Sequence, residues 1–334
     1  MTALESLGVF AAQTFLIVFA LIAVILVIAL LASKSSQKTE ISVELLHKKY
    51  KDFASILKAH TSGKDDLKSE KKKRKADKKS EKPENKIYVI NFEGDVKATA
   101  VDSLREEVTA VLSVATAKDE VVVCVESPGG VVHGYGLAAS QLLRIREKNI
   151  PLTVCVDKVA ASGGYLMSCT ANKILSAPFA IIGSIGVVAQ VPNFHKALKK
   201  HNVDYNEYTA GEFKRTVSIF GEITAKGEEK FKEQLEQTHI LFKDFVARHR
   251  PQLNIDQVAT GEYWFGEHAK NLGLVDHITT SDDYLMGFAD SHQIVKIEYK
   301  HKESISDKIS GILGRSLKQA GSSLIAEFEA RKWI

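Results

Sequence analysis

Three short segments rich in glycine and serine carry the residue types of nucleophilic catalysis. They are Glu126-Ser127-Pro128-Gly129-Gly130, Ala160-Ala161-Ser162-Gly163-Gly164-Tyr165 and Gly183-Ser184-Ile185-Gly186-Val187, each just after an apolar stretch. Ser162 lies between a strand-like run and a helix-like one, flanked by Ala161 and Gly163. A serine there exposes its Oγ at a sharp strand-to-helix turn with the helix N-terminus behind it, as in a nucleophile elbow, although the G-x-S-x-G pattern is not met. On local sequence alone an ordinary helix N-cap is the simpler reading of Ser162. Gly129 and Gly163 are candidate N–H donors to an oxyanion, an interaction worth about 3 kcal/mol per donor.

A nucleophilic serine needs a base. His133, His195 and His201 pair with no Asp or Glu in a recognisable motif and read as surface residues. Lysine is the alternative, provided burial favours its neutral amine. Lys214, in Gly211-Glu212-Phe213-Lys214-Arg215, follows an expected strand and turn. Taken alone it reads as a solvated lysine. Cys124, Cys155 and Cys169 lack metal-ligand spacing and read as small buried hydrophobes. No metal or cofactor is expected.

The elements that must position these residues alternate. Ile87–Phe92, Val121–Val125, Leu152–Val156 and Lys173–Ser176 read as strands, and Ser103–Ala115, Leu137–Lys148 and Tyr165–Asn172 as helices. The strands are continuous apolar runs, which argues for a parallel sheet covered on both faces, with ligands gathering at the strands' carboxyl ends. Further on, the pattern predicts a helix near Phe194–Asn202, a strand near Tyr205–Tyr208 and a long charged helix from Ala225 to His249. Ile41–His60 carries a helical apolar stripe. Ile174–Val191 is a second apolar, uncharged stretch, but Pro178, Gly183, Ser184, Gly186 and Gln190 make it core strand and turn rather than a membrane span.

Phe15–Ala32 is a run of 18 apolar residues, long enough as a helix to cross a bilayer core of roughly 30 Å. Met1–Gln13 has no Lys or Arg, unlike the positive start of a signal peptide, so a retained anchor is expected. The formal charge of +4 divides unevenly, with residues 1–86 at +7 and residues 87–334 at −3. The basic residues lie C-terminal to the span, which predicts a cytoplasmic location for the bulk of the chain, a periplasmic one being the alternative. The arm KSEKKKRKADKKSEKPENK reads as a solvated linker able to face anionic lipid; without interleaved aromatics it does not read as a nucleic-acid binder. The expected organisation is an anchor over 1–33, a helical and basic linker over 34–86, a catalytic domain over 87–300 and an amphipathic helical tail over 301–334. Length and three cysteines exclude a disulfide scaffold.

The order of SPGG, ASGGY, GSIGV, the later Phe213-Lys214, and Gly261–Ala269 with Leu272–Asp276 resembles the signal peptide peptidase/protease IV family of serine proteases. The resemblance implies a ClpP/crotonase-like α/β fold of repeated β-β-α units. It also implies a Ser/Lys dyad with Ser162 as nucleophile and Lys214 as general base. Ser184 would orient Lys214, and Gly129 and Gly163 would form the oxyanion hole. Peptide or protein substrates, a homo-oligomer and a bacterial inner-membrane location go with that reading. A crotonase-like acyl-CoA enzyme and a non-catalytic membrane scaffold are the rival expectations. A Ser/His/Asp variant would want a histidine after the serine, and Gly183–Ala189 has none.

Overall fold

A computed structural model describes residues 14–16, 19, 40–61 and 85–300. In chain order the strands are β1 (Glu40–Leu45), β2 (Lys86–Glu93), β3 (Glu120–Glu126), β4 (Leu152–Val156), β5 (Val159–Ala161), β6 (Lys173–Ser176), β7 (Ile181–Gly183), β8 (Tyr263–Phe265), β9 (His277–Ile278) and β10 (Gln293–Lys300). The helices are α1 (Leu46–Thr61), α2 (Val101–Leu112), α3 (Val132–Glu147), α4 (Gly163–Ser168), α5 (His195–Lys200), α6 (Ala225–His249), α7 (Ile255–Val258), α8 (Gly266–Asn271) and α9 (Ser281–Gly287).

Seven strands form the main sheet in the order β1-β10-β2-β3-β4-β6-β9, and every pairing from β10 to β9 is parallel. Successive strand residues go to opposite faces, and both faces are covered. Ile90, Phe92, Val121, Val123 and Val154 pack under α2, α3 and α4. Ile87, Val89, Val122 and Cys155 pack under Leu46 of α1 and Leu285 of α9. This two-sided burial is why the strands read as unbroken apolar runs. A second sheet, β5-β7-β8, stands at the carboxyl ends of β3 and β4 and carries the glycine-rich turns. The mixed α/β, parallel-rich architecture fits the ClpP-like fold that the resemblance implied.

Several elements differ from the sequence reading. Residues 41–45 extend as β1 at the edge of the main sheet, and the helix begins only at Leu46. Ile41, Val43 and Leu45 fit the two-residue period of a strand as well as the helical stripe, and pairing at the sheet edge decides between them. Residues 205–208 form no strand and are exposed, and among the described residues no strand pairs with them. β5, β7 and β8 escape the pattern because three residues give no period to read. The expected membrane anchor falls almost wholly outside the described residues. Of it, Phe15, Leu16 and Phe19 are helical and exposed, and among the described residues no helix is long and apolar enough to cross a membrane. The expected tail over 301–334 and the basic run from residue 62 to 84 also lie outside the described residues.

One ion pair ties the end of α6 to the main sheet. Arg250, only 3% exposed, meets Asp276 through two hydrogen bonds of 2.9 and 2.8 Å and donates to the Gly273 carbonyl at 2.9 Å. Asp276 also accepts from the backbone N–H of Ile174, the second residue of β6, at 2.7 Å. Burial alone would raise the Asp276 pKa, but the bonds from Arg250 and Ile174 outweigh it and hold the carboxyl below its usual range. Asp276→Asn leaves Arg250 buried without its counter-charge, at a cost of about 3–5 kcal/mol. Because the folded pKa is depressed, the wild-type advantage is full above about pH 4 and fades as the pH falls through the folded value. Urea denaturation of both proteins at several pH values measures this.

Candidate active site

The site is assembled by two adjoining strand pairings. β5 and β7 run parallel with Ala161 opposite Gly183, so Ser162 and Ser184 leave the two strand ends side by side. The N–H of Ser162 donates to the Gly183 carbonyl at 2.7 Å, and that of Ser184 to the Glu262 carbonyl at 2.7 Å. The SPGG turn after β3 is stitched to β5 from the other side. Ser127 N–H donates to the Val159 carbonyl at 2.8 Å, and Ala161 N–H donates to the Ser127 carbonyl at 3.0 Å. Gly129 is thereby pressed against the serine turn. A Cβ on it would lie 2.7 Å from the Ala161 oxygen, the Gly163 nitrogen and the Ser162 Cβ, and its φ is +88°. Only glycine fits there.

Ser162 occupies the N-cap position of α4, yet its side chain makes no capping hydrogen bond. Its backbone stands at φ 53° and ψ −118°, a conformation suited to glycine that costs a serine on the order of 1–3 kcal/mol. The N-cap reading therefore fails on geometry. The residue is half-buried, with its strained turn facing Gly129. Ser184 is likewise half-buried, at φ 51°.

Beneath these turns lies a buried polar relay that the sequence reading missed. Gly129 N–H donates to Ser127 Oγ at 3.1 Å, Ser127 Oγ lies 2.5 Å from the Tyr135 hydroxyl, and that hydroxyl donates to the Asp95 carbonyl at 2.8 Å. Tyr135 comes from α3 and is fully buried, and burial raises its phenol pKa and keeps it a donor. Its ring also fills the space beside Gly163, where a Cβ would come within 2.3 Å of Tyr135 Cγ. The signal for Ser127 was its place in the SPGG motif; nothing near Tyr135 in sequence marks it. With the Gly129 N–H engaged by Ser127, the next N–H along, that of exposed Gly130, makes no hydrogen bond among the described residues.

Ser162, Gly163, Ser184 and Gly129 are thus brought together, and Lys214 is not joined to them. It sits in an exposed turn, its backbone N–H donating to the Gly211 carbonyl at 3.1 Å, and among the described residues no hydrogen bond links it to Ser162 or Ser184. No group of three or more His, Cys, Asp or Glu among the described residues is arranged to hold a metal ion. Cys155 and Cys169 are buried and Cys124 half-buried.

Two family models match end to end. Residues 2–142 match the peptidase family S49 N-terminal model and residues 144–294 the peptidase family S49 model. The chain is 53% identical over 246 residues to the probable protease SohB of Haemophilus influenzae, covering 74% of this chain and 69% of that one. The chain belongs to peptidase family S49. It is also 58% identical over 200 residues to a probable protease SohB of Buchnera aphidicola, covering 60% of this chain and 66% of the relative. The chain is 30% identical over 206 residues to protease 4 of H. influenzae, covering 58% of this chain and 33% of that one. Within the S49 match, the N-terminal model takes in Gly129 and the second takes in Ser162, Gly163, Ser184 and Lys214.

Three substitutions test this geometry through stability. Ser162→Gly relieves the positive-φ strain and stabilises the fold by about 1 kcal/mol, whereas Ser162→Ala keeps the strain and leaves stability near wild type. Tyr135→Phe strands the Ser127 hydroxyl and the Asp95 carbonyl and destabilises by about 1–3 kcal/mol. Thermal and denaturant unfolding of the three variants measure both.

Proposed function

We propose that this S49 peptidase is a serine endopeptidase in which Ser162 is the nucleophile and Lys214 the general base. The observation that carries the reading is the strained, uncapped turn at Ser162, set directly against the glycine turn of the neighbouring strand. A serine hydroxyl not used for capping, on a backbone that costs energy to hold, has been kept for something other than stability. Lys214 takes the proton from Ser162 Oγ as that oxygen attacks a peptide carbonyl. The developing oxyanion is met by backbone N–H groups of Gly163 and of the turn containing Gly129. Lys214 returns the proton to the leaving amine, and water then releases the acyl group. In this reading Ser184, beside Ser162 across the β5–β7 register, orients the lysine amine.

A lysine base works as the neutral amine, which requires a site shielded from water. The segment carrying Lys214 is rich in uncovered apolar side chains, with Val188 81% exposed and Tyr208 92% exposed, and with Phe194, Phe213 and Phe220 also in the open. We infer that a second copy of the chain covers this segment and that the assembled homo-oligomer supplies the shielding. The 18-residue apolar run Phe15–Ala32 and the basic residues after it support a single-pass inner-membrane anchor with the peptidase on the cytoplasmic side. Membrane lipid is then the neighbour of the basic arm, and extended apolar segments such as signal peptides or misfolded membrane proteins are the accessible substrates. The names of the relatives, probable protease SohB and protease 4, support proteolysis.

Fluorophosphonate labelling of the full chain tests the nucleophile. Ser162→Ala abolishes labelling and lowers peptide hydrolysis by about 1000-fold or more, while Lys214→Ala lowers both and leaves unfolding unchanged. Labelling that survives Ser162→Ala sinks the reading. A mixing experiment locates the base. Combining the two inactive variants restores hydrolysis if each dyad closes between chains, and a mixture that stays inactive while oligomeric places both residues in one chain.

A further inference from the structure

On the face of the main sheet covered by α1 and α9 there is a cavity of about 420 Å³. Its walls include Tyr50 and Phe53 of α1 and Leu285 of α9, and its floor includes Val89, Cys124 and Cys155. The two cysteines are direct partners in the parallel β3–β4 register and point to the same face. In-register neighbours in a sheet stand about 4.8 Å apart, inside the 4.4–6.8 Å Cα range that a disulfide spans. Cys155 is 1% exposed, whereas Cys124 is only half-buried and open to the cavity.

The surroundings make the two thiols unequal. A hydrogen bond from Cys155 holds the Cys124 thiol below its ordinary range; burial and Asp157 oppose this, and Ser281 and Lys296 add to it. The same bond, with burial and the nearby Asp157 and Glu120, pushes Cys155 up. Because Cys124 is the more exposed of the two to the cavity, it is the attacking sulfur and Cys155 the reserve. Cys169 lies in the other layer at the end of α4, buried, its thiol bonded to the Leu166 carbonyl at 3.1 Å. It serves as an internal control.

We propose that Cys124 and Cys155 form a reversible dithiol–disulfide site, oxidised by a small hydroperoxide entering this cavity, and that its oxidation displaces the SPGG turn relative to Ser162. The Cys124 thiolate attacks the peroxide, forming an S–O bond as the O–O bond breaks, and the departing alkoxide takes up a proton to leave as alcohol. Cys155 then attacks the sulfenic sulfur, forming the S–S bond as the S–O bond breaks, and its proton leaves with the hydroxide as water. Two thiols and one hydroperoxide give one disulfide, one alcohol and one water, a two-electron oxidation.

The link to the active site is mechanical. Side chains at sheet spacing must draw together to reach the Cβ separation of about 3.8 Å in a disulfide. β3 leads directly into Ser127 and Gly129, and β4 leads through β5 into Ser162. Pulling β3 towards β4 therefore shifts the two halves of the site against each other. This consequence rests on the serine peptidase reading; the cross-link itself does not.

Full-length chain is treated with hydrogen peroxide, digested without reduction and analysed by mass spectrometry, with hydrolysis measured in parallel. The expected product joins the Cys124 and Cys155 peptides, lighter by two hydrogens, and dithiothreitol reverses it. In Cys155→Ala the reaction stops at a Cys124 sulfenic acid that dimedone traps. Hydrolysis by the wild type falls about 10-fold or more on oxidation, the scale of a small misplacement of reacting groups, and recovers on reduction. Cys155→Ala does not show that reversible loss. A cross-link to Cys169, or consumption of Cys124 without any cross-link, overturns the site. A Cys124–Cys155 cross-link with unchanged hydrolysis overturns the coupling. If the reduced wild type shows no fluorophosphonate labelling, the serine reading has failed, and the mass measurement still decides the cross-link.

Discussion

The candidate site depends on a stitch of two backbone hydrogen bonds, from Ser127 to Val159 and from Ala161 back to Ser127. They bind the turn after β3 to the short strand that ends at Ser162. Without them the glycines of one strand and the serine of the next would be separate loop ends. With them, Gly129 approaches Ser162 so closely that no side chain fits between. Backbone donors can then face a reacting carbonyl without any side chain being ordered for the purpose, which spares the entropy of fixing one.

The stitch is itself held from below. Tyr135 reaches from α3 to fix Ser127 through its hydroxyl and supports Gly163 with its ring, and the ring of Phe92 packs edge-on against it. One buried aromatic therefore sets the height of both turns. Rigid support of this kind allows Ser162 to stay at a positive φ that an isolated turn would relax. The opposite end of the fold is secured differently, by the Arg250–Asp276 pair closing α6 onto β6. The motif around Leu272–Asp276 thus has a structural duty.

Between these fixed parts lies the long exposed segment from β7 to α6, where Lys214 sits. Its backbone has little regular structure beyond α5, and several of its large apolar side chains, Val188 and Tyr208 foremost, are exposed. A surface of this kind is costly in water unless something covers it. In the proposed dyad the serine half is rigid, built on strand ends, and the lysine half is carried by a surface arm.

Sequence by itself determined the parallel α/β class, because strands buried on both faces must be apolar throughout. It also picked out Ser162, Ser184, Gly129 and Gly163, because glycine and serine at strand ends are conspicuous in the chain and the motif order matched a family. It placed the 18-residue apolar run and the charge asymmetry that follows it. The relay through Tyr135, the edge strand at Glu40–Leu45 and the three-residue strands of the second sheet were decided only by tertiary structure. Each depends on a partner distant in the chain, and a three-residue strand or a lone tyrosine has no local period to betray it. The Cys124–Cys155 pairing is of the same kind. Two small residues 31 positions apart read as separate hydrophobes until the β3–β4 register sets them side by side.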